Sequence, residues 1–192
     1  DMLEALDCPV YKIACFEITD IPLIEYAASK HKPMVLATGI ATEEDIQLAV
    51  EACRRMGNND ITVLKCTSSY PAPVEEANLC MIRDLAERFQ VKSGLSDHTL
   101  GSVSPIVAVT QGASMIEKHF ILNRSIGGPD CSFSMEEKDF AQMVKDVRMA
   151  ELSLGKTTYE LTEKMRGSRS ASRSLYVAED MKAGEVITER NV

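Results

Sequence analysis

The sequence predicts an α/β protein: five units of a (β/α)8 TIM barrel, followed by the start of a small β-rich domain. Three observations carry this reading. Short runs rich in Val, Ile and Leu alternate with longer segments of helical period, in repeats of roughly 20 to 30 residues, as parallel strands with crossover helices require. The strand-like runs are apolar on both faces, which suits a sheet covered on both sides or a closed barrel. Polar residues recur at the carboxyl end of nearly every strand, where such a barrel builds its site. A doubly wound sheet is the other arrangement of these units, but no GxGxxG turn follows any strand.

Taken in order, VYKIAC (10–15), PMVLAT (33–38), ITVLKCT (61–67), VKSGLS (91–96) and SMIEKHF (114–120) read as strands. Helical period fills the gaps in PLIEYAASK, TEEDIQLAVEACRRMG, PVEEANLCMIRDLAERF and SPIVAVTQGA. Thr42 with Glu43, Glu44 and Asp45 makes a strong helix start, and Gly57 stands just past the end. A long helix is predicted from about Glu136 to Leu154. The domain organisation follows: barrel units over 1–156, a basic and serine-rich linker over 157–172, and alternating strands of a second domain over 173–192. DMLEALDCPVYKI begins within a helix-like pattern and GEVITERNV stops without a closing element. The expectation is therefore a piece of a longer protein, with three βα units before Asp1.

Composition narrows the function classes. With 192 residues, 45% hydrophobic and 26% charged, the chain is long enough for a sizeable core. Its net charge of -8 argues against non-specific binding to nucleic acid or an anionic membrane, so an anionic ligand needs a local cluster of donors. Six cysteines, at 8, 15, 53, 66, 80 and 131, show no CxxC spacing. A reducing cytoplasm is the expected location, and neither a disulfide framework nor a zinc ribbon is. No run approaches the roughly 18 apolar residues of a membrane span.

The strand ends carry the chemistry. They offer Lys12, Cys15 and Glu17, then Thr38 and Gly39, then Ser68, Ser69 and Tyr70, then Ser96, Asp97 and His98, and finally His119. Only three histidines occur in the chain, and two of them close successive strands. Imidazoles so placed suit a divalent metal with open positions, which describes a catalytic rather than a structural site. Lys12, inside an apolar strand, asks for an anion. Lys65 and Lys118 read as structural, and His31 as solvated surface. Lys12 and Glu17 have opposite parity, so both face one site only if the chain turns near Cys15. Spacing thus points to a metal-dependent, anion-binding enzyme and leaves its substrate open.

YKIACFEITDIPLI, KPMVLATGIA, KCTSSYPAP, GLSDHTLG, IEKHF, GGPDCSFSM and SRSLYVAEDMKAGE together resemble the sialic acid synthase family, in order and over essentially the whole chain. The resemblance implies a homodimer of barrels, each joined to an SAF (antifreeze-like) domain that caps the partner's sugar. It implies condensation of phosphoenolpyruvate with an N-acetylated amino sugar, giving a nine-carbon 2-keto acid and phosphate. It places Lys12, Cys15, Thr38, Ser68 and Ser96 around phosphoenolpyruvate and Glu17, Tyr70 and Asp130 near the sugar. His98 and His119 fall on the ligands of a divalent ion, Mn²⁺ or Mg²⁺.

CTSSYPAP favours the pseudaminic type, using a 2,4-diacetamido-2,4,6-trideoxy-L-altrose, over N-acetylneuraminate or legionaminate formation. Two departures stand out: Cys15 where the family commonly has serine, and Ala37 in ATG where sialic acid synthases have STG. A Schiff-base aldolase using Lys12, Lys65 or Lys118, and a sugar-binding module without catalysis, are the competing readings.

Overall fold

Five parallel strands lie side by side in chain order: β1 (Tyr11–Ile13), β2 (Met34–Ala37), β3 (Ile61–Cys66), β4 (Lys92–Asp97) and β5 (Ile116–Lys118). The computed structural model describes residues 2–192 and groups them into two compact units, one ending at Gly155 and one over Lys156–Val192. A strand order that never reverses belongs to a singly wound sheet, whereas a doubly wound one would show a switch point. The sheet also curls. Five flat strands would hold β1 and β5 about 19 Å apart, yet Lys12 Nζ on β1 lies 3.3 Å from Glu117 Oε1 on β5. The first unit is therefore an arc of barrel, a partial parallel half-barrel.

Alternation sets the two faces. Tyr11, Ile13, Met34, Leu36, Ile61 and Val63 pack outward against Ile24, Ala28, Ile46, Ala49, Val50 and Cys53. The helices that supply this layer are α2 (Ile21–Ala28) and α3 (Glu43–Arg55), after a single turn α1 (Met2–Ala5). The predicted caps form: Thr42 and Asp45 bond reciprocally at the start of α3, and Gly57 takes φ 76° beyond its end. Opposite parity turns Lys12, Ala37, Cys66, Ser96 and Glu117 to the concave side, where register sets Cys66 beside Ser96 and Ser96 beside Glu117. Gly94 permits the close approach of β5, because a Cβ there would meet the Met115 carbonyl oxygen at 2.4 Å.

The structure differs from the sequence reading in four places. The first strand stops at Ile13, because 15–17 curl into a 3-10 turn. The single helix predicted over 73–89 divides into a 3-10 turn, Val74–Glu76, and α4 (Met81–Phe89). Asn78 separates them at φ 46°, a conformation asparagine tolerates and a helix does not. The third difference is Asp97, expected at the site, which lies on the outer parity in a bond of 2.6 Å to Lys118. Those side chains are 1% and 2% exposed and link the ends of β4 and β5.

The fourth difference lies in the second unit, where 157–172 holds a helix, α7 (Glu163–Arg169), capped by the Thr162 hydroxyl. Among the described residues 173–192 form no strand. Leu175, Tyr176, Val177, Val186 and Ile187 are exposed, so the alternating pattern has nothing to bury its apolar side against. Turns hold this segment, with Ala178 N–H donating to the Asn191 carbonyl. Two further helices, α5 (Val103–Thr110) and α6 (Glu137–Leu154), complete the first unit, and α6 matches its predicted span. Among the described residues no helix is long and apolar enough to cross a membrane.

Candidate active site

The concave rim gathers three groups of side chains. The first is a polar row across the arc. Glu117 Oε1 accepts a hydrogen bond from the Ser96 hydroxyl at 2.9 Å and sits 3.3 Å from Lys12 Nζ. Ser96 is buried, while Lys12 and Glu117 remain 37% and 41% accessible, so the row presents an ammonium and a carboxylate towards the open side.

The second group is aromatic. His98 and His119 stand edge to face with ring centroids 5.2 Å apart. Tyr70 packs on His98 at 4.2 Å, and Phe133 on His119 at 5.0 Å. His98 Nδ1 lies 2.8 Å from the Thr67 carbonyl oxygen. A carbonyl only accepts, so Nδ1 carries a proton, which in the neutral ring leaves the lone pair on Nε2. His119 Nδ1 faces Asp130 Oδ2 at 3.7 Å, beyond direct hydrogen-bond length. Burial, with His98 adding to it, holds the His119 pKa below its ordinary value and favours the neutral imidazole a metal needs.

The third group surrounds two thiols. Cys15 Sγ and Cys66 Sγ are 3.2 Å apart, and the Gly39 N–H donates to Cys15 Sγ at 3.2 Å. Ala37 completes this small buried cluster. Gly39 is required there, since a Cβ would stand 2.1 Å from Ser68 Oγ and 2.7 Å from Cys15 Sγ. Ser68 Oγ is itself buried without a hydrogen-bond partner of good geometry, an orphaned donor at the rim. The Cys66 thiol beside it favours the Cys15 thiolate; burial opposes that, while the Ser68 hydroxyl, the Gly39 N–H and the Lys12 charge assist. The Cys15 pKa is therefore lowered. That of Cys66 is raised, by Cys15 first and by burial second.

Most of the predicted residues thus converge: Lys12, Cys15, Ser68, Tyr70, Ser96, His98, His119 and Asp130 line this rim. Two are turned to other partners. Thr38 donates its hydroxyl to the Leu64 carbonyl at 3.0 Å. It lines, with Lys65, Glu43 and Arg88, a separate cavity of about 680 Å³ by α3 and α4. Glu17 Oε2 accepts the Ala14 N–H at 2.9 Å and so ties the 3-10 turn, whose bend supplies the change of parity after Lys12. Glu117 and Cys66 were absent from the sequence-based set, as was Phe133. Glu117 is two residues before His119 and shares its face, a signal that alternation alone supplies.

The histidine pair fits a divalent ion. Two imidazoles bound at about 2.0–2.1 Å, at a tetrahedral or octahedral angle, place their centroids about 5 Å apart. The Thr67 contact would serve as the outer-shell bond that orients His98 towards such an ion. Among the described residues no cluster of three His, Cys, Asp or Glu side chains forms a closed metal cage. Two donors with the remaining positions open is the arrangement of an ion that must also meet a substrate.

The profile of the NeuB family matches residues 1–159. The chain belongs to the NeuB family. Pseudaminic acid synthase of Helicobacter pylori (strain ATCC 700392 / 26695) is 50% identical over all of this chain and 57% of its own length. Pseudaminic acid synthase of Campylobacter jejuni serotype O:2 is 43% identical, over all of this chain and 56% of its own length. Among solved NeuB-like structures, N-acetylneuraminic acid synthetase from Leptospira borgpetersenii, in complex with citrate, superposes with TM-score 0.80 at 31% identity, covering 88% of this chain and 59% of that one. The chain therefore spans little more than half the length of these relatives.

Proposed function

We propose that the protein is a phosphoenolpyruvate-dependent nonulosonic acid synthase of the pseudaminic type, a transferase joining phosphoenolpyruvate to an open-chain 2,4-diacetamido-2,4,6-trideoxy-L-altrose. The observation that carries this is the pair His98 and His119, 5.2 Å apart with His98 oriented by the Thr67 carbonyl, on the rim that also bears the Lys12–Glu117–Ser96 row. NeuB family membership and the 50% identity to a pseudaminic acid synthase, against 31% to the N-acetylneuraminic acid synthetase, support the substrate class.

On this reading Lys12 pairs with the phosphate or carboxylate of phosphoenolpyruvate, with Ser96, Ser68 and Cys15 as further donors. Glu117 holds Lys12 and Ser96 in place before the anion arrives. C3 of the enol forms the new bond to the sugar aldehyde carbon. Water adds at C2, and cleavage of the C2–O bond releases phosphate. A divalent cation, Mn²⁺ or Mg²⁺, on His98 and His119 would supply a Lewis acid for the aldehyde oxygen. Tyr70 and Asp130, exposed beside the histidines, meet the sugar, and Phe133 closes the site against water. Much of the acceleration comes from holding the two reactants together. Thr38 and Glu17 reach substrate on this reading only by leaving their present partners. Further barrel units and an SAF domain acting across a homodimer would complete the site.

Phosphate release by the full-length protein tests the proposal, with phosphoenolpyruvate and either the altrose derivative or N-acetylmannosamine, in Mn²⁺ and in chelator. Metal-dependent release with the altrose derivative is expected. Preference for N-acetylmannosamine would reassign the protein as an N-acetylneuraminate synthase, and release that survives chelator would remove the metal from the reading.

A further inference from the structure

We propose that Cys15 and Cys66 are a modification site: a thiol pair that a peroxide-class oxidant converts to a reversible disulfide at the rim of the barrel. The two sulfurs are 3.2 Å apart, and a disulfide needs about 2.05 Å, so a shift of about 1.1 Å joins them. No other two cysteines among the described residues are in sulfur contact. Cys53 is buried in the helix-facing core, and the Cys8 thiol donates to the Val10 carbonyl.

The surroundings allow that shift. β2 runs between β1 and β3, but beside the sulfurs stand only Ala37 at its end and Gly39 just beyond it, the smallest residues available. Cys66 is held by its pairing with Ser96 in the sheet. Cys15 sits instead on the 3-10 turn after β1, followed by exposed Phe16 and Glu17, so the turn is the partner free to adjust. Both sulfurs face the concave side, which substrates must reach and which hydrogen peroxide, scarcely larger than water, enters as well.

The chemistry balances. One sulfur attacks a peroxide oxygen; the O–O bond breaks, water leaves and a sulfenic acid remains. The second sulfur attacks the sulfenic sulfur, the S–O bond breaks, and the oxygen leaves as a second water. Two S–H bonds and one O–O bond are lost, while one S–S and two O–H bonds form. The thiols are oxidised by two electrons and hydrogen peroxide is reduced. Dithiothreitol reverses the product by thiol–disulfide exchange. The disulfide would remove Cys15 as a donor and draw Cys66 away from His98, whose Nδ1 it approaches at 3.8 Å. The crosslink stands on the sulfur geometry alone; its effect on turnover rests on the function proposed above.

The experiment treats the full-length protein with graded hydrogen peroxide, alkylates remaining thiols, and maps peptides by mass spectrometry. A Cys15–Cys66 linked peptide that appears with loss of phosphate release, both undone by dithiothreitol, is the expected result. Cys15→Ser is expected to abolish the linked peptide. Cys15 and Cys66 still alkylated, or Cys15 carried to sulfinic acid without the linked peptide, where the exposed Cys80 is already oxidised would overturn the proposal. A linked peptide with unchanged phosphate release would keep the modification site and contradict the phosphoenolpyruvate-binding role of Cys15.

Discussion

At the scale of single residues, the rim is a set of donors with different replaceability. Lys12 is partly solvated and paired only with Glu117, so Lys12→Met should leave folding intact while raising KM for phosphoenolpyruvate. A hydrogen bond to a charged group contributes about 1.5–3 kcal/mol, which sets the expected rise at about ten- to hundredfold in steady-state kinetics. Cys15→Ser should act the other way. A serine hydroxyl stays protonated where the Cys66 contact favours the Cys15 thiolate, and it is a stronger donor than a thiol, so about 0.5–1.5 kcal/mol of extra bonding would lower that KM about two- to tenfold. An unchanged KM in both variants would place the anion elsewhere. His98, His119 and Lys12 were legible in the sequence because histidines at strand ends and a lysine in an apolar run are rare and costly. Glu117 was not, since a glutamate in a strand reads as solvated unless its face is known. The same unknown governs Thr38: its parity is the outer one, and its hydroxyl donates to the Leu64 carbonyl.

At the scale of elements, what aims the site is the join between β4 and β5. Lys118 and Asp97 lie on the outer parity, almost wholly buried and bonded at 2.6 Å, and Lys118 also donates to the Thr99 carbonyl. Their pairing leaves Ser96, His98, Glu117 and His119 on the opposite face. Lys118→Ala strands the Asp97 charge in the interior, and the loss of one partner of a buried pair costs about 3–5 kcal/mol. The melting temperature should fall by roughly 6–20 °C in calorimetry. Replacing both residues by apolar ones of similar size should recover most of it. Gly94→Ala should destabilise as well, by about 1–3 kcal/mol, because its Cβ meets backbone rather than a movable side chain. Periodicity and caps revealed these elements well, down to Thr42 and Gly57. The break at Asn78 and the 3-10 turn at Cys15 were hidden, because each is decided by a local backbone conformation rather than by a hydrophobic repeat.

At the scale of the molecule, the curled five-strand sheet explains why residues 105 positions apart in sequence, Lys12 and Glu117, share an ion pair. Parallel order was predictable from the βα repeat, and curvature was inferred from the polar strand ends; the contact between end strands decides it. The alternating 173–192 segment forms no strand among the described residues, since period two specifies a strand only where a neighbour offers an edge and a face to cover. On the function proposed above, a protein limited to these 192 residues is expected to release no phosphate, because the half-barrel leaves Lys12 and Glu117 accessible, and the full-length protein is expected to release it. Comparable turnover by both in the same assay would contradict the need for the rest of the barrel.

The central claim is that His98 and His119 hold one divalent ion. Its most direct test is Mn²⁺ binding to the full-length protein, read by electron paramagnetic resonance or calorimetry, beside His98→Ala and His119→Ala. One site per chain in the native protein, weakened at least about tenfold by either substitution, is the expected result. Native affinity in both variants would contradict it and return the two histidines to packing partners of Tyr70 and Phe133.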